Sequence, residues 1–257
     1  MATTVLERTS VARWCHPTRH QRGACCVTLA DPPKRPDPAI YSQDQALALG
    51  QLPTWNSPDI TTNFDIPWTL MPEVGVVVRN LSTTVTAVNT QVQVSLSGYG
   101  IGLPKTAMSN KLVTLPPGQD QNLSFPLPAA VLAGPSSIGF FVQIYHPNDA
   151  VAINSYGAQV LTAFETKVSG RSVSTAVPVA NPTGAPQTIT LSVLPNSVSA
   201  AISPAAHNFA PFEQITAHLS VNVPGGLHNT SETVTVIARD GSGAVIGGAS
   251  LIIWVND

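Results

Sequence analysis

The sequence is poor in charge, which constrains the kinds of partner the protein can have. Only 10% of its 257 residues are charged, against about 25% in an ordinary soluble domain. The formal net charge is -2, so there is no general electrostatic attraction for nucleic acid or for an anionic membrane. A surface with so few charges must consist largely of Ser, Thr, Asn and Gln, or be covered by other chains. The composition therefore predicts a protein partner and no nucleic acid.

Cysteine is missing from most of the chain. Cys15, Cys25 and Cys26 all lie near the N-terminus, so we predict that disulfides do not hold the remainder together. With His16 and His20 they supply enough donors for zinc, but vicinal cysteines and an adjacent Cys-His pair lack the ligand spacing of structural zinc sites. We therefore predict no metal and no cofactor.

Long hydrophobic runs are also missing. The longest runs, such as 251–255, fall far short of the ~20 residues that a membrane-spanning helix needs, so we predict no membrane insertion. The apolar stretch 25–30 is shorter than the hydrophobic region of a secretory signal. No signal peptide is therefore predicted. The compartment stays open, with an extracellular or particle-associated location suspected.

The feature that the chain does have is alternation with period two. In 90–97, Val92, Val94 and Leu96 share one side while glutamines and serines share the other, which is typical of a half-buried β-strand. The pattern and its turns predict strands at 59–61, 73–80, 90–98, 111–115, 121–127, 137–145 and 159–166, and then at 174–180, 187–194, 214–223, 232–238 and 244–255. Turns rich in proline and glycine separate them. The fold class is therefore predicted to be all-β, of the sandwich type.

The strands are predicted to form two domains behind an N-terminal arm. Residues 1–36 hold half of the 12 Lys and Arg residues and show no sustained hydrophobic period, which indicates a disordered or extended basic arm. The alternation breaks again at 167–171. Because about 90 residues with this strand spacing match one immunoglobulin-like domain, we predict two tandem β-sandwich domains, at 37–166 and 167–257.

The first of these domains resembles a known family. The segments that carry the resemblance are DPAIY at 37–41, SPDI at 57–60, EVGVVVRN at 73–80 and FVQIYHPND at 141–149, followed by Asn154 and Gly157. Together they resemble bacterial CARDB-like modules, which are immunoglobulin-related sandwiches of the cell-adhesion type. The resemblance covers about 37–166. It implies a module for adhesion or assembly that works beside other domains, with no catalytic activity, whereas 167–257 is similar to immunoglobulin-like domains only in a general way.

One loop in this region gathers side chains that could bind a cation. His146, Asn148, Asp149 and Asn154 bring an imidazole and several oxygen donors together. A calcium site needs six to eight ligands and usually more than one carboxylate, whereas Asn and Asp are common turn residues because they hydrogen-bond to nearby backbone. We predict a turn and leave calcium open.

No motif for nucleophilic or phosphate chemistry stands out. A Gly-x-Ser-x-Gly elbow that would expose a catalytic serine is absent, and we predict that the protein is not an enzyme. The spacing of Gly98, Gly100 and Gly102 is similar to that of a phosphate-binding loop. Since no helical pattern follows them, we predict a flexible connection between strands.

The last predicted strand is apolar on both faces. Leu251, Ile253, Trp254 and Val255 leave no polar side for water. Either the strand is buried on both sides, or it is an edge that pairs with a neighbouring subunit, since an exposed edge normally carries a protective charge or proline. Both alternatives stay open, and these four residues are the candidate interface.

Taken together, these patterns predict a non-enzymatic structural or interaction protein that assembles with itself or with a larger particle or surface. The alternative is a carbohydrate- or ligand-binding accessory module of a hydrolase system, because exposed aromatic rings stack on sugar faces. The candidate stacking residues are Trp55, Trp68, Tyr99 and Tyr145. A coplanar exposed pair among them would favour sugar binding, and burial would favour assembly.

Overall fold

The period-two alternation of the sequence becomes strands throughout the residues that the structure describes. A computed structural model describes residues 34–62, 72–133, 137–166 and 169–255. The arm up to residue 33, with its three cysteines, and Trp68 lie outside the described residues. Within them the chain is all-β, as predicted, and the helices are short. None of the described helices is long and apolar enough to cross a membrane.

The first half of the described chain contains strands β1 to β8. They are β1 Pro38–Ala39, β2 Ile60–Thr61, β3 Glu73–Asn80, β4 Ala87–Gly98, β5 Thr106–Leu115, β6 Asp120–Pro126, β7 Ile138–Tyr145 and β8 Tyr156–Thr166. Helices α1 (Gln43–Ala48) and α2 (Ala129–Leu132) and a 3-10 turn at Ala152–Asn154 lie between strands. Alternate residues of β3 and β4 are buried, because each strand packs one face on a core that includes Val76, Val94 and Phe140.

The second half contains strands β9 to β15. They are β9 Ser172–Ala180, β10 Gln187–Val193, β11 Ser199–Ser203, β12 Ala206–Phe209, β13 Gln214–Asn222, β14 Thr230–Arg239 and β15 Val245–Val255. Their core includes Ile189, Leu219, Val236 and Leu251. The short strands β11 and β12 were not predicted, because four or five residues show too few alternations to be distinguished from a loop.

One continuous sheet joins the two halves. Its eight strands lie in the order β12-β10-β14-β15-β8-β7-β4-β5. The halves meet where β15 pairs in parallel with β8, from Ser250 opposite Leu161 to Val255 opposite Thr166. We call this junction the seam. A smaller sheet, in which β3 pairs with β1, β2 and β6, belongs to the first half, and the sheet β11-β13-β9 belongs to the second half.

The two cores lie on opposite faces of the shared sheet. Phe140 and Val142 of β7 belong to the core of the first half, whereas Phe141 packs against the core of the second half. Ala158 and Val160 of β8 belong to that second core as well. Because successive side chains of a strand point to opposite faces, β7 contacts both cores, and β8 contributes Ala158 and Val160 to the second. The second core therefore covers only the part of this face near Phe141, Ala158 and Val160.

The loop after β4 connects the two halves a second time. Ile101 is buried in the second core, its amide donates to the carbonyl of Pro178 at 2.9 Å, and its carbonyl accepts from the amide of Ala180 at 2.9 Å. A β-carbon at Gly100 would lie 2.5 Å from the Pro178 oxygen, and one at Gly102 would lie 2.2 Å from the Ala180 oxygen. The prediction of a flexible connection is therefore wrong here: glycine is required because the loop lies against β9.

These contacts make Lys34–Asp257 one packed unit. The division into two domains near residues 164–172 stays a prediction, because a shared sheet is compatible with one unfolding transition or with two. The halves nevertheless keep separate hydrophobic cores, which is what two sandwich domains in tandem require.

An ion pair between a buried carboxylate and a partly exposed guanidinium holds the segment before β2 against β3. Asp59 is 2% exposed and lies beside the Arg79 guanidinium, whose second nitrogen donates to Asp59 Oδ1 at 2.6 Å. The amide of Tyr41 donates to the same carboxylate at 2.6 Å. The acidic side chain of the SPDI segment thus binds the basic side chain of the EVGVVVRN segment, which gives two of the motif segments a structural role.

The terminal strand is an interior strand. β15 pairs with β14 on one side and with β8 on the other, and Leu251, Ile253 and Val255 are each 1% exposed. Trp254 is partly buried, and its indole N–H has no hydrogen-bond partner among the described residues. Both of its backbone edges are paired within the chain, so the expectation of an intermolecular edge does not fit this strand. Leu251, Ile253 and Val255 share its buried face, whereas Ile252 and Trp254 on the other face are only partly buried.

The first prediction concerns the loop against β9. Gly102 and Gly118 both have a positive φ, +71° and +65°, but a β-carbon at Gly118 would meet nothing within 4 Å. We expect Gly118→Ala to lower the free energy of unfolding by about 1–2 kcal/mol, the cost of a left-handed alanine. Gly102→Ala should lose a further ~1–3 kcal/mol because its methyl group overlaps the Ala180 carbonyl. Urea denaturation of both variants measures the difference, and equal losses would show that the contact with β9 is unimportant.

The second prediction concerns the interior position of β15. Ile253→Lys places a charge in the second core, and we expect it to destabilise the isolated chain by at least about 3–5 kcal/mol, the cost of an unpaired buried charge. Leu81→Lys, at a side chain that is 50% exposed in the loop after β3, is the control and should change stability by less than about 0.5 kcal/mol. A folded Ile253→Lys variant with unchanged thermal unfolding would mean that β15 is not interior.

Candidate functional site

The exposed face of β4, β5 and β7 carries side-chain amides in register. Gln93 of β4 lies opposite Asn110 of β5 and Gln143 of β7, and Gln91 lies opposite Leu112 and Tyr145. Residues paired in this way share a face of the sheet. We call the six residues Gln91, Gln93, Asn110, Leu112, Gln143 and Tyr145 the amide face.

The amide face is uncharged, and its two large side chains are open to solvent. Leu112 is 70% exposed and Tyr145 is 53% exposed. Lys111, next to Leu112 in β5, lies on the opposite side of the strand, where Nζ donates to the Ser124 carbonyl at 2.5 Å and lies 5.2 Å from the Phe125 ring. The face therefore offers amide groups between a leucine and a tyrosine, with no charge of its own.

A cavity of about 230 Å³ lies at the seam beside this face. Its apolar walls include Trp55, Ile101, Leu103, Phe141 and Ile246, and its polar side chains include Asp44, Lys105 and Tyr156. The cavity adjoins the amide face, because Gln143 of that face lies opposite Tyr156 of the cavity in the pairing of β7 with β8. We call it the seam cavity.

Lys105 is the cation of the seam cavity. Its Nζ donates to the Tyr156 hydroxyl at 2.6 Å and lies 4.2 Å from the centre of the Phe141 ring and 5.0 Å from that of Tyr156. Desolvation by these neighbours lowers the pKa of Lys105, and the Asp44 carboxylate opposes this shift. Burial raises the pKa of Tyr156, so its hydroxyl keeps its proton and can act as a donor.

Helix α1 holds the wall of the seam cavity that faces Lys105. Ser42 caps the helix by accepting a hydrogen bond from the Gln45 amide at 3.3 Å. The buried Gln43 side chain donates to the carbonyls of Thr54 and Ala158, at 2.8 and 2.6 Å, and accepts from the Ala158 amide at 3.1 Å. The Gln43 side chain thus bonds to both backbone groups of Ala158, as a paired strand would. The next residue, Asp44, is exposed at the cavity.

The aromatic residues predicted to stack on a sugar do not form a common surface. Trp55 is 3% exposed and packs so closely on β15 that a β-carbon at Gly248 would lie 2.5 Å from its ring, so it is a core residue. Tyr99 is half-buried and packs against the second core. Tyr145 is exposed. Trp68 lies outside the described residues, so its part in the prediction stays untested.

The loop predicted as a turn is held by its own hydrogen bonds and by Asp37, the residue before β1. The Asn148 amide donates to His146 Nδ1 at 3.2 Å, and the Val151 amide donates to Asp149 Oδ1 at 3.0 Å, as the turn interpretation requires. Asn154 is 1% exposed, and its Nδ2 donates to Asp37 Oδ1 at 2.9 Å. Within the described ranges, no group of three or more His, Cys, Asp or Glu residues could hold a metal ion.

Three residues of the seam cavity were not singled out by the sequence analysis. Lys105 stands alone in a loop, and Phe141 and Tyr156 are separated from it by 36 and 51 positions. No local spacing connects them. The only signal was Phe141, a large apolar side chain on the side of β7 that also carries Gln143 and Tyr145. Tyr156 gave no such signal, because Ala158 and Val160 lie on its own side of β8.

No family model matches the chain, and no curated protein matches it. Among solved structures, it is similar to a PapD-like domain of a human protein, with 13% identity, coverage of 37% of this chain and 80% of that chain, and a TM-score of 0.30. An MSP-domain-like protein of Caenorhabditis elegans is 12% identical, and the match covers 35% of this chain and 92% of that protein, with a TM-score of 0.26.

A larger structure is also similar. Activated alpha-2-macroglobulin of Escherichia coli has 12% identity to this chain over 88% of its length and 22% of the macroglobulin, with a TM-score of 0.29. The specific resemblance to CARDB-like modules stays a prediction.

Proposed function

We propose that the protein is a non-enzymatic interaction module that assembles through the amide face, in the first instance with a second copy of itself. The observation that supports this most directly is the alignment of Leu112, Gln91 and Tyr145 across three strands. In this row the exposed Leu112 and Tyr145 lie on either side of the Gln91 amide, which can both donate and accept hydrogen bonds.

The absence of charge on the amide face favours a second copy as the partner. In a twofold interface the same patch meets itself, so two copies of a patch that carries charge of one sign repel each other. Amides avoid this cost, because the oxygen of one can accept from the nitrogen of another. Leucine and tyrosine supply the apolar area that an interface needs at its centre.

The third prediction tests this assembly. We expect the full chain to run as a dimer or larger species in size-exclusion chromatography with light scattering. The double variant Leu112→Lys, Tyr145→Lys should weaken self-association at least about tenfold, because like charges would then face each other across the interface.

The control is Leu81→Lys, at a leucine that is 50% exposed in the loop after β3, and it should leave the assembly intact. A wild-type chain that stays monomeric at every concentration would contradict the proposal. So would dissociation by the control to the same extent as by the double variant.

Sugar binding is the second candidate function, and it is favoured by one observation. The ring of Tyr145 is exposed and shares its face with Gln143 and Gln91, so a sugar could stack on the ring while the amides bind its hydroxyls.

The fourth prediction belongs to this candidate. Tyr145→Ala should weaken binding of a neutral oligosaccharide such as cellohexaose by about 1 kcal/mol in calorimetry. Tyr99→Phe, whose ring packs on the second core, should bind as the wild type does. If neither the wild type nor Tyr99→Phe binds the oligosaccharide, the sugar-binding proposal is wrong and the self-assembly proposal remains.

A further inference from the structure

The seam cavity places two hydrogen-bond donors side by side at one end of an apolar space. Lys105 Nζ has three protons and gives one to the Tyr156 hydroxyl at 2.6 Å. The Tyr156 oxygen accepts this bond, which leaves its own proton to donate elsewhere. An ammonium and a phenol in this arrangement match the two oxygens of a carboxylate, and bonds from charged donors to carboxylates are among the strongest in proteins.

The positive charge of Lys105 has no ion-pair partner among the described residues. The ion pairs found within that part of the chain, at distances up to 4.0 Å, join Arg79 to Asp59 and His207 to Glu213. Asp44 acts on Lys105 from a greater distance. A partly desolvated cation that contacts the Phe141 ring and the neutral Tyr156 hydroxyl would gain from a bound anion.

The remaining walls indicate what else the anion should carry. Trp55, Ile101, Leu103 and Ile246 line the cavity with apolar groups. Its volume of about 230 Å³ exceeds the ~150 Å³ that suffices for benzene in an engineered apolar cavity. The space therefore admits one ring together with a carboxylate group.

We propose that the seam cavity is a binding site for a small aromatic carboxylate, held by Lys105 and the Tyr156 hydroxyl with its ring against the apolar walls. Asp44 repels the ligand from the rim and limits its affinity. This site is separate from the assembly proposed above, because a monomer with an intact cavity would still bind the ligand.

The fifth prediction uses benzoate as the probe and benzyl alcohol as its uncharged counterpart. In calorimetry with the full chain, we expect benzoate to bind one site with a Kd below about 1 mM and benzyl alcohol to bind at least about tenfold more weakly. Lys105→Met should weaken benzoate binding at least about tenfold, and Tyr156→Phe should weaken it several-fold while keeping the ring. Asp44→Asn should strengthen benzoate binding, since it removes a repulsive charge.

Lys111→Met is the matched control, because Lys111 also bonds to an oxygen and lies near an aromatic ring but is on the other side of its strand. It should leave benzoate binding unchanged, and thermal unfolding of each variant shows whether it is folded. The proposal is overturned if benzoate does not bind the wild type, if folded Lys105→Met or Tyr156→Phe binds as the wild type does, or if Asp44→Asn weakens binding.

Discussion

The structure depends on the parallel pairing of β15 with β8. A sandwich domain ordinarily ends with an edge strand whose backbone groups face solvent. In this protein the last strand of the second half completes its hydrogen bonds on the last strand of the first half, from Ser250 to Val255. Each half thereby covers an edge of the other. Within the apolar run 251–255, Leu251, Ile253 and Val255 are each 1% exposed.

The shared sheet also explains why the seam cavity exists. The two cores lie on opposite faces of the sheet, so near the seam β7 and β8 are covered on both sides. On the side of the second core, the groups that cover β7 and β8 near the cavity are α1, Trp55 and the loop around Ile101, not a full sheet. The interior of a protein is normally close-packed, but these groups leave the seam cavity between them. Lys105 lies in that cavity.

The low charge of the chain has two different outcomes in the structure. In the second half much of the apolar sequence is used for the core, as in β14, where five consecutive residues from Val234 to Ala238 are buried. In the first half the same lack of charge leaves a surface of amides, which ends at Leu112 and Tyr145. Neutral hydrogen-bonding groups cover this surface, and they add no electrostatic repulsion to the approach of a second copy.

The sequence by itself determined the elements of this fold, because alternation is a local property that each strand carries. It predicted β3 at 73–80 with the bounds that the structure shows, and it predicted most of the longer strands to within a few residues. It also determined that His146 and its neighbours form a turn, since Asn and Asp bond to nearby backbone.

Only the tertiary structure decided which strands meet and what lies between them. The sequence could not distinguish the two alternatives for the terminal strand, because burial on both faces and an intermolecular edge require the same apolar residues. The seam cavity joins Lys105 to Phe141 and Tyr156, which are far apart along the chain, and Trp55 turned out to be part of a core rather than a binding surface. Such groupings arise from strand order, and strand order is set by long-range packing that no local pattern records.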